Sequence, residues 1–269
     1  MVAADGGTPR IVDRSDQAPI TEYGFSPDSR WLVHTKQART DYASIYLYDT
    51  RDGAIHRITG GDTDEASPVW DPDGRYLYFL SHRTTNPLLG ARDLENVDIE
   101  PTRVYLALLR KDGKNPFAPS AGLPPDEKDK GKEKSQDKEK EEDKDKDKKE
   151  PPKPIEIDLD GLGDRIVAFP IEPGQYSGLT ATKSHVFWLS TPLQGMADWG
   201  PLFGGPEEPR STLVSFDLEA KKAQPFLQGV SAYDLSAQAN KLAVMKRPER
   251  SSSFRPGRLR ETRARRRST

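Results

Sequence analysis

The 269-residue chain carries 41 Lys and Arg against 43 Asp and Glu, a formal charge of −2, and contains no cysteine. That excludes a disulfide framework and a thiol nucleophile, and no apolar run approaches the ~18–20 residues that a membrane helix needs. The hydrophobic fraction of 33% is low, but the deficit is local: residues 126–150 hold ten Lys, twelve Asp or Glu, and otherwise only Gly131, Ser135 and Gln136. Such a polyampholyte cannot bury a core and is expected to be disordered.

In chain order, residues 8–12 read as a strand ending something earlier. Residues 23–25 are a short strand, and Ser26-Pro27-Asp28-Ser29 is a turn, with Pro pre-set for the second position and Asp able to bond back to the backbone. Strands follow at 31–35 and 44–49. Asp52-Gly53 then signals a hairpin, because that pair accepts the positive φ of a tight loop, and 54–59 returns as a fourth strand. The order repeats: 66–70, the Asp71-Pro72-Asp73-Gly74 turn, 75–81, an interruption over 84–101, 102–109, and a second Asp-Gly hairpin at Asp112-Gly113. The next strand is displaced to 164–169 by an insertion spanning 114–160. A third unit has strands at 177–181, 185–190, 212–217 and 223–227, with a Gly- and Pro-rich loop over 191–210. A fourth begins with 232–236 and 241–245, and strand alternation stops at Arg247.

The two turn segments are near-copies. Phe25-Ser26-Pro27-Asp28-Ser29-Arg30-Trp31 and Trp70-Asp71-Pro72-Asp73-Gly74-Arg75-Tyr76 begin 45 residues apart, within the ~40–50 residue period of four-stranded propeller blades. Each has an aromatic ending one strand, a Pro-Asp turn, a solvent-facing Arg, and an apolar strand. The expected fold is therefore all-β: a partial β-propeller of four-stranded antiparallel blades, about three and a half of them, with a disordered charged insertion. Blades are assigned to 1–113 and 161–246, the insertion to 114–160, and an Arg-rich, disordered tail to 247–269. A propeller closes only with ~4–8 blades, so the strand pattern reads as incomplete, and the chain alone is expected to fold poorly.

The turn segments resemble the propeller repeats of TolB-like and tricorn-type proteins. Asn115-Pro116-Phe117-Ala118-Pro119 before the charge run, Ile155-Glu156-Ile157-Asp158-Leu159-Asp160-Gly161-Leu162 after it, and Pro173-Gly174-Gln175-Tyr176 narrow the resemblance to the tricorn protease homologues of the S41 serine peptidase class. It covers roughly residues 5–246. It implies propellers that admit and steer unfolded peptides in an oligomeric assembly, with the catalytic serine, histidine and acid in a C-terminal domain beyond a PDZ-like module. No residue of that domain is carried over onto this sequence. The tail departs from the family; residues 251–269, with seven Arg, resemble translation in a wrong reading frame.

Chemical motifs are sparse. The four histidines, His34, His56, His82 and His185, lie on or beside strands, and none sits in a nucleophile elbow such as Gly-x-Ser-x-Gly, so no triad is expected. Asp62-Thr63-Asp64-Glu65 and Asp158-Leu159-Asp160-Gly161 lack the ligand register of a calcium loop and read as polar turns. Gly161-Leu162-Gly163 and Gly204-Gly205 lack the strand-to-helix context of a phosphate loop. No catalytic, cofactor-binding or metal residue is assigned, and no cofactor is expected. Trp31, Trp70, Trp188 and Tyr46 read as core. Trp199 and Phe203, in the 191–210 loop, are the candidate peptide contacts. The Arg tail has one aromatic, Phe254, and lacks the stacking platform of a nucleic-acid binder.

These readings point to a non-catalytic propeller part of a tricorn-like serine peptidase, guiding or gating peptide substrates and supporting assembly. The alternative is a TolB-like interaction scaffold unrelated to proteolysis. Expected partners are unfolded peptides or other subunits, with neither membrane nor nucleic acid. The expected compartment is the cytoplasm, or the periplasm if a signal peptide precedes these residues.

Overall fold

The computed structural model describes residues 1–85, 87–89, 96–97, 101–118, 154–193, 210–236 and 239–246. The charge run at 126–150, Trp199, Phe203 and the tail at 247–269 lie outside these. Among the described residues no helix is long and apolar enough to cross a membrane.

The first sheet has the order β1-β2-β3-β4, with β1 at Tyr23–Phe25, β2 at Trp31–Gln37, β3 at Ala43–Asp49 and β4 at Ile55–Arg57. The strand expected at 8–12 does not form. The Arg10 N–H closes a local loop on the Met1 carbonyl at 2.8 Å, and residues 10–13 meet the sheet through side chains instead. Arg10 bonds the Tyr48 hydroxyl, while Asp13 bonds His34 and Lys36.

The second sheet has the order β5-β6-β9-β10, with β5 at Glu65–Trp70, β6 at Tyr76–Ser81, β9 at Arg103–Leu108 and β10 at Ile166–Ala168. Within the interruption expected at 84–101, β7 (Leu88–Leu89) and β8 (Asn96–Val97) pair as a separate ribbon. The described flanks of the 114–160 insertion, residues 114–118 and 154–160, pack on the sheets rather than projecting from them, because both carry apolar side chains. Ile155 is buried between the first two sheets, with Ile157 and Leu159 beside it, and Phe117 packs edge-on against Phe169 and Phe216.

The third sheet is five-stranded: β11 at Gln175–Ala181, β12 at His185–Thr191, β13 at Ser211–Asp217, β14 at Lys222–Leu235 and β15 at Leu242–Lys246. The strands expected separately at 223–227 and 232–236 are one strand, β14. Its first half pairs with β13 and its second half with β15, and Val230 is paired on both sides. Gly229, at a φ of 72°, lets the strand bend where its register with β13 shifts.

Side-chain alternation explains how the sheets stack. Every residue of β6 is buried. Leu77 and Phe79 point to one face and meet Trp31, Val33, Ile45 and Leu47 of the first sheet. Tyr76, Tyr78 and Leu80 point to the other and meet Phe169, Leu179, Val186, Trp188 and Phe216. The second sheet is therefore a layer between two others. Tyr46 is an exception to the core expectation: it is half-buried, stacked on His34 and covered by Lys36. The first strands of the sheets, β1, β5 and β11, contact one another in succession, while each sheet runs outward from its own first strand. That convergence of inner strands is blade geometry.

Candidate functional site

The repeated turns are tied down by their own polar side chains. In the first, the Ser26 hydroxyl donates to Asp28 Oδ1 at 2.6 Å and accepts from the Trp31 N–H at 2.9 Å. In the second, Asp71 takes the Ser26 position and accepts from the Arg75 N–H at 3.0 Å and Arg75 Nε at 2.8 Å. The two arginines are less free than their surface positions suggested: Arg30 pairs with Asp49 at 2.7 Å and Arg75 with the fully buried Asp71. The third turn residue reaches the next unit. Asp28 Oδ2 accepts from the Ile155 N–H at 2.7 Å, and Asp73 pairs with Lys183 at 2.8 Å. These turns join blades and carry no reaction chemistry.

At the opposite ends of the inner strands lies a cavity of about 390 Å³. It is bounded by the approach to β1, the facing ends of β2 and β3, the start of β5, the end of β6 and the start of β11. Four carboxyl side chains line it, from Glu22, Asp41, Asp64 and Glu65, together with His82, and among the described residues no Lys or Arg does. Leu80, Ala66 and Tyr176 supply an apolar wall.

Each acid is placed by a different element. Glu22 bridges the first two sheets, accepting from Thr35 Oγ1 at 3.1 Å and from the Ser67 N–H at 2.8 Å. Asp64 Oδ1 accepts from the Ala43 N–H at 2.9 Å. Glu65 opens β5 and is only 2% exposed. Its Oε1 accepts from Arg83 Nη2 at 2.7 Å and Thr63 Oγ1 at 3.0 Å, whereas Oε2 is buried with no hydrogen-bond partner. Burial pushes the Glu65 carboxyl above its ordinary range, against the opposing effects of Arg83, Ser81 and Thr63. Arg83 is held by the faces of Phe79 and Tyr105, with its guanidinium carbon 5.4 and 5.0 Å from the ring centres.

The histidines do not build a nucleophilic site. His34 lies in the middle of β2, and its Nε2 is 2.9 Å from Asp13 Oδ2. A carboxylate only accepts, so Nε2 carries the proton and the buried Nδ1 is left without a partner. Ser184, His185 and Asp217 form a line at one hairpin end: Ser184 Oγ is 2.8 Å from Nδ1, and Nε2 is 3.7 Å from Asp217. The second gap exceeds a hydrogen bond. Asp217 instead accepts from the Glu219 and Ala220 N–H groups. His82 Nε2 meets the Thr102 hydroxyl at 3.1 Å.

Of the two acidic stretches weighed as calcium loops, Asp158 and Asp160 are occupied by Lys111, through its N–H at 2.7 Å and its ammonium at 2.9 Å. The other stretch, which read as a polar turn, supplies Asp64 and Glu65 to the cavity. Among the described residues no three His, Asp or Glu side chains come together to hold a metal ion. Trp199 and Phe203 lie outside the described residues. The available signal for the cavity was an acid, Glu65, opening an inner strand that is mostly apolar.

Antiparallel sheets of four and five strands, converging on their first strands, define a β-propeller protein. The match to the family "Tricorn protease second beta propeller domain" runs over residues 1–253, and the chain belongs to that family. It is 30% identical over 247 residues to Tricorn protease homolog 1 of Streptomyces coelicolor, covering 91% of this chain and 22% of that protein. It is 27% identical over 244 residues to the Tricorn protease homolog of Saccharolobus solfataricus, covering 90% and 20%. The crystal structure of the tricorn protease superposes with a TM-score of 0.69 at 21% identity, over 91% of this chain and 22% of that one, and shares the fold. The chain thus spans about a fifth of the length of these relatives.

Proposed function

We propose that the chain is the non-catalytic propeller part of a tricorn-like serine peptidase, where it guides or gates peptide substrates and supports assembly. Membership of the family of tricorn second propellers is the observation that carries this reading. The cavity at the inner strand ends supports it physically. Ligands are held in concave recesses, and this chain has an open, carboxyl-lined one where its inner strands converge. In this reading the hydrolytic chemistry belongs to residues elsewhere in such a peptidase.

Photo-crosslinking tests the reading. An unfolded 12-residue peptide carrying a benzophenone group is irradiated with the 269-residue chain, and labelled segments are located by mass spectrometry. Label at the cavity rim or at Trp199 and Phe203, with no cleavage of the peptide, is the expected result. Label scattered over all surfaces overturns peptide guidance and leaves the interaction-scaffold alternative in its place.

A further inference from the structure

We infer that residues 10–16 are a strap over the outer face of the first sheet, and that protonation of His34 in mild acid releases it. The inference stands apart from the peptide-handling reading, because it concerns the first sheet alone.

The strap is held only by side chains. Among the described residues, no main-chain N–H or carbonyl between Arg10 and Thr21 bonds to a strand. Arg10 lies over the Tyr48 ring of β3, its guanidinium carbon 5.5 Å from the centre, and bonds the Tyr48 hydroxyl. Asp13 Oδ2 accepts from His34 Nε2 at 2.9 Å and from Lys36 Nζ at 2.7 Å, both on β2. Their neighbours on the strap face solvent: Ile11 is 63% exposed, and Arg14 is exposed as well. The join between strap and β2 thus rests on one carboxylate oxygen.

His34 makes that join sensitive to protons. With the Nε2 proton on Asp13, a second proton has to go to Nδ1, which is buried and meets no acceptor. A buried donor without a partner is costly. The groups around the ring offer no relief. Tyr46 of β3 stacks on it at 5.6 Å, Tyr23 lies opposite it on β1, and Arg57 of β4 lies opposite Tyr46. Lys36 is a second cation on the same carboxylate. Lifting the strap bares the ring, and water then accepts from Nδ1.

The direction follows from linkage. Burial holds the docked imidazole below its ordinary value of 6.5, ahead of the raising effect of Asp13. Below 6.5 the lifted state therefore binds more protons, and falling pH favours it. Burial raises the Asp13 carboxyl, but bonds from Lys36, His34 and the Arg14 N–H outweigh it and hold it low. His34 is thus the group that titrates. The strap runs on into Ala18 and Pro19, which line the recess at the inner strand ends, so lifting it opens that recess beside the first sheet.

The chain has no cysteine, so a nitroxide on Ile11→Cys reports the strap alone. Its mobility in room-temperature electron paramagnetic resonance is compared at pH 7.0 and pH 5.0 with that of a control label on Lys222→Cys, at the exposed start of β14. The mobile fraction on the strap is expected to rise about threefold or more, while the control and the strand signal in circular dichroism stay unchanged. His34→Gln, which keeps a donor for Asp13 but has no titrating ring, is expected to abolish the rise. Should that variant lose its strand signal, Asp13→Asn is expected to leave the strap mobile already at pH 7.0 in a folded chain. A strap label that stays immobile to pH 5.0, an unchanged rise in His34→Gln, an immobile strap in folded Asp13→Asn, or an equal rise at the control position overturns the inference.

Discussion

Ile155 occupies the space that a side chain on Gly74 would need: a Cβ built there falls 2.6 Å from Ile155 Cγ1. Gly74 also has a φ of 68°, and its counterpart one repeat earlier, Ser29, has a φ of 59° in an exposed position. The same turn geometry is thus strained by a side chain at one site and blocked by a neighbour at the other.

Gly74→Ala is expected to cost about 2–3 kcal/mol, combining the left-handed backbone with a clash against a buried residue. Ser29→Gly is expected to gain up to about 1 kcal/mol by relieving the same backbone strain. Urea unfolding followed by tryptophan fluorescence separates the two. Similar small effects at both sites would mean that Ile155 does not pack on the turn.

Removing Arg83 leaves Glu65 buried and uncompensated. Arg83→Met is expected to cost about 2–3 kcal/mol, less than for a fully buried pair because the guanidinium is partly exposed. The double variant Glu65→Gln/Arg83→Met is expected to recover at least half of that loss. A double-mutant cycle in urea with no coupling would show that the pair is not formed in solution.

His34 gives the fold a pH dependence of definite sign. Burial holds its imidazole below the ordinary value of 6.5 and outweighs the raising effect of Asp13. Between that lower value and 6.5 the unfolded chain binds more protons than the folded one, so stability falls as pH drops below 6.5 and is full above it. The urea midpoint should decrease from pH 7 to pH 5, and His34→Gln should flatten that slope. An unchanged slope in the variant would place the titration elsewhere.

Phe117 brings the insertion's first flank into the core between the second and third sheets. Its ring centre is 4.9 Å from that of Phe169, which is 4.8 Å from Phe216. Phe169→Ala is expected to cost about 3–5 kcal/mol, and Phe117→Ala, at a half-buried site, about 1–2 kcal/mol. A neutral Phe117→Ala in thermal unfolding would return residues 114–118 to the status of a solvated loop.

The blades were legible because period-two alternation and Pro-Asp or Asp-Gly turns are local signals. β2, β3, β6 and β12 need no distant partner to be recognised. What failed depended on context. Residues 8–12 end in the β-branched pair Ile11-Val12 and read as a strand, but a strand needs a neighbour's free edge, and Arg10 bonds Met1 instead. Gln228-Gly229 reads as a break, yet the chain stays extended because Val230 is paired with Ser211 on one side and Lys246 on the other. The cavity was harder still. Glu22 and Glu65 lie far apart in sequence, and nothing local to either says that the first two blades bring them to one recess, or that Glu65 keeps an oxygen unused.

β14 has a bearing on how this protein can be cut into pieces. The 45-residue sequence period suggests natural excision points between one repeat and the next, but β14 crosses such a point without a break, serving one sheet with its first half and a further hairpin with its second. Sequence unit and hydrogen-bonded unit are therefore out of step. A fragment trimmed after Leu227 would lose the pairing of Thr212 with Gln228 and of Ser211 with Val230, together with the whole β14–β15 hairpin, and one trimmed after β15 would keep its ladders intact. Grafting or shuffling of blades in this architecture should follow the sheets rather than the repeats.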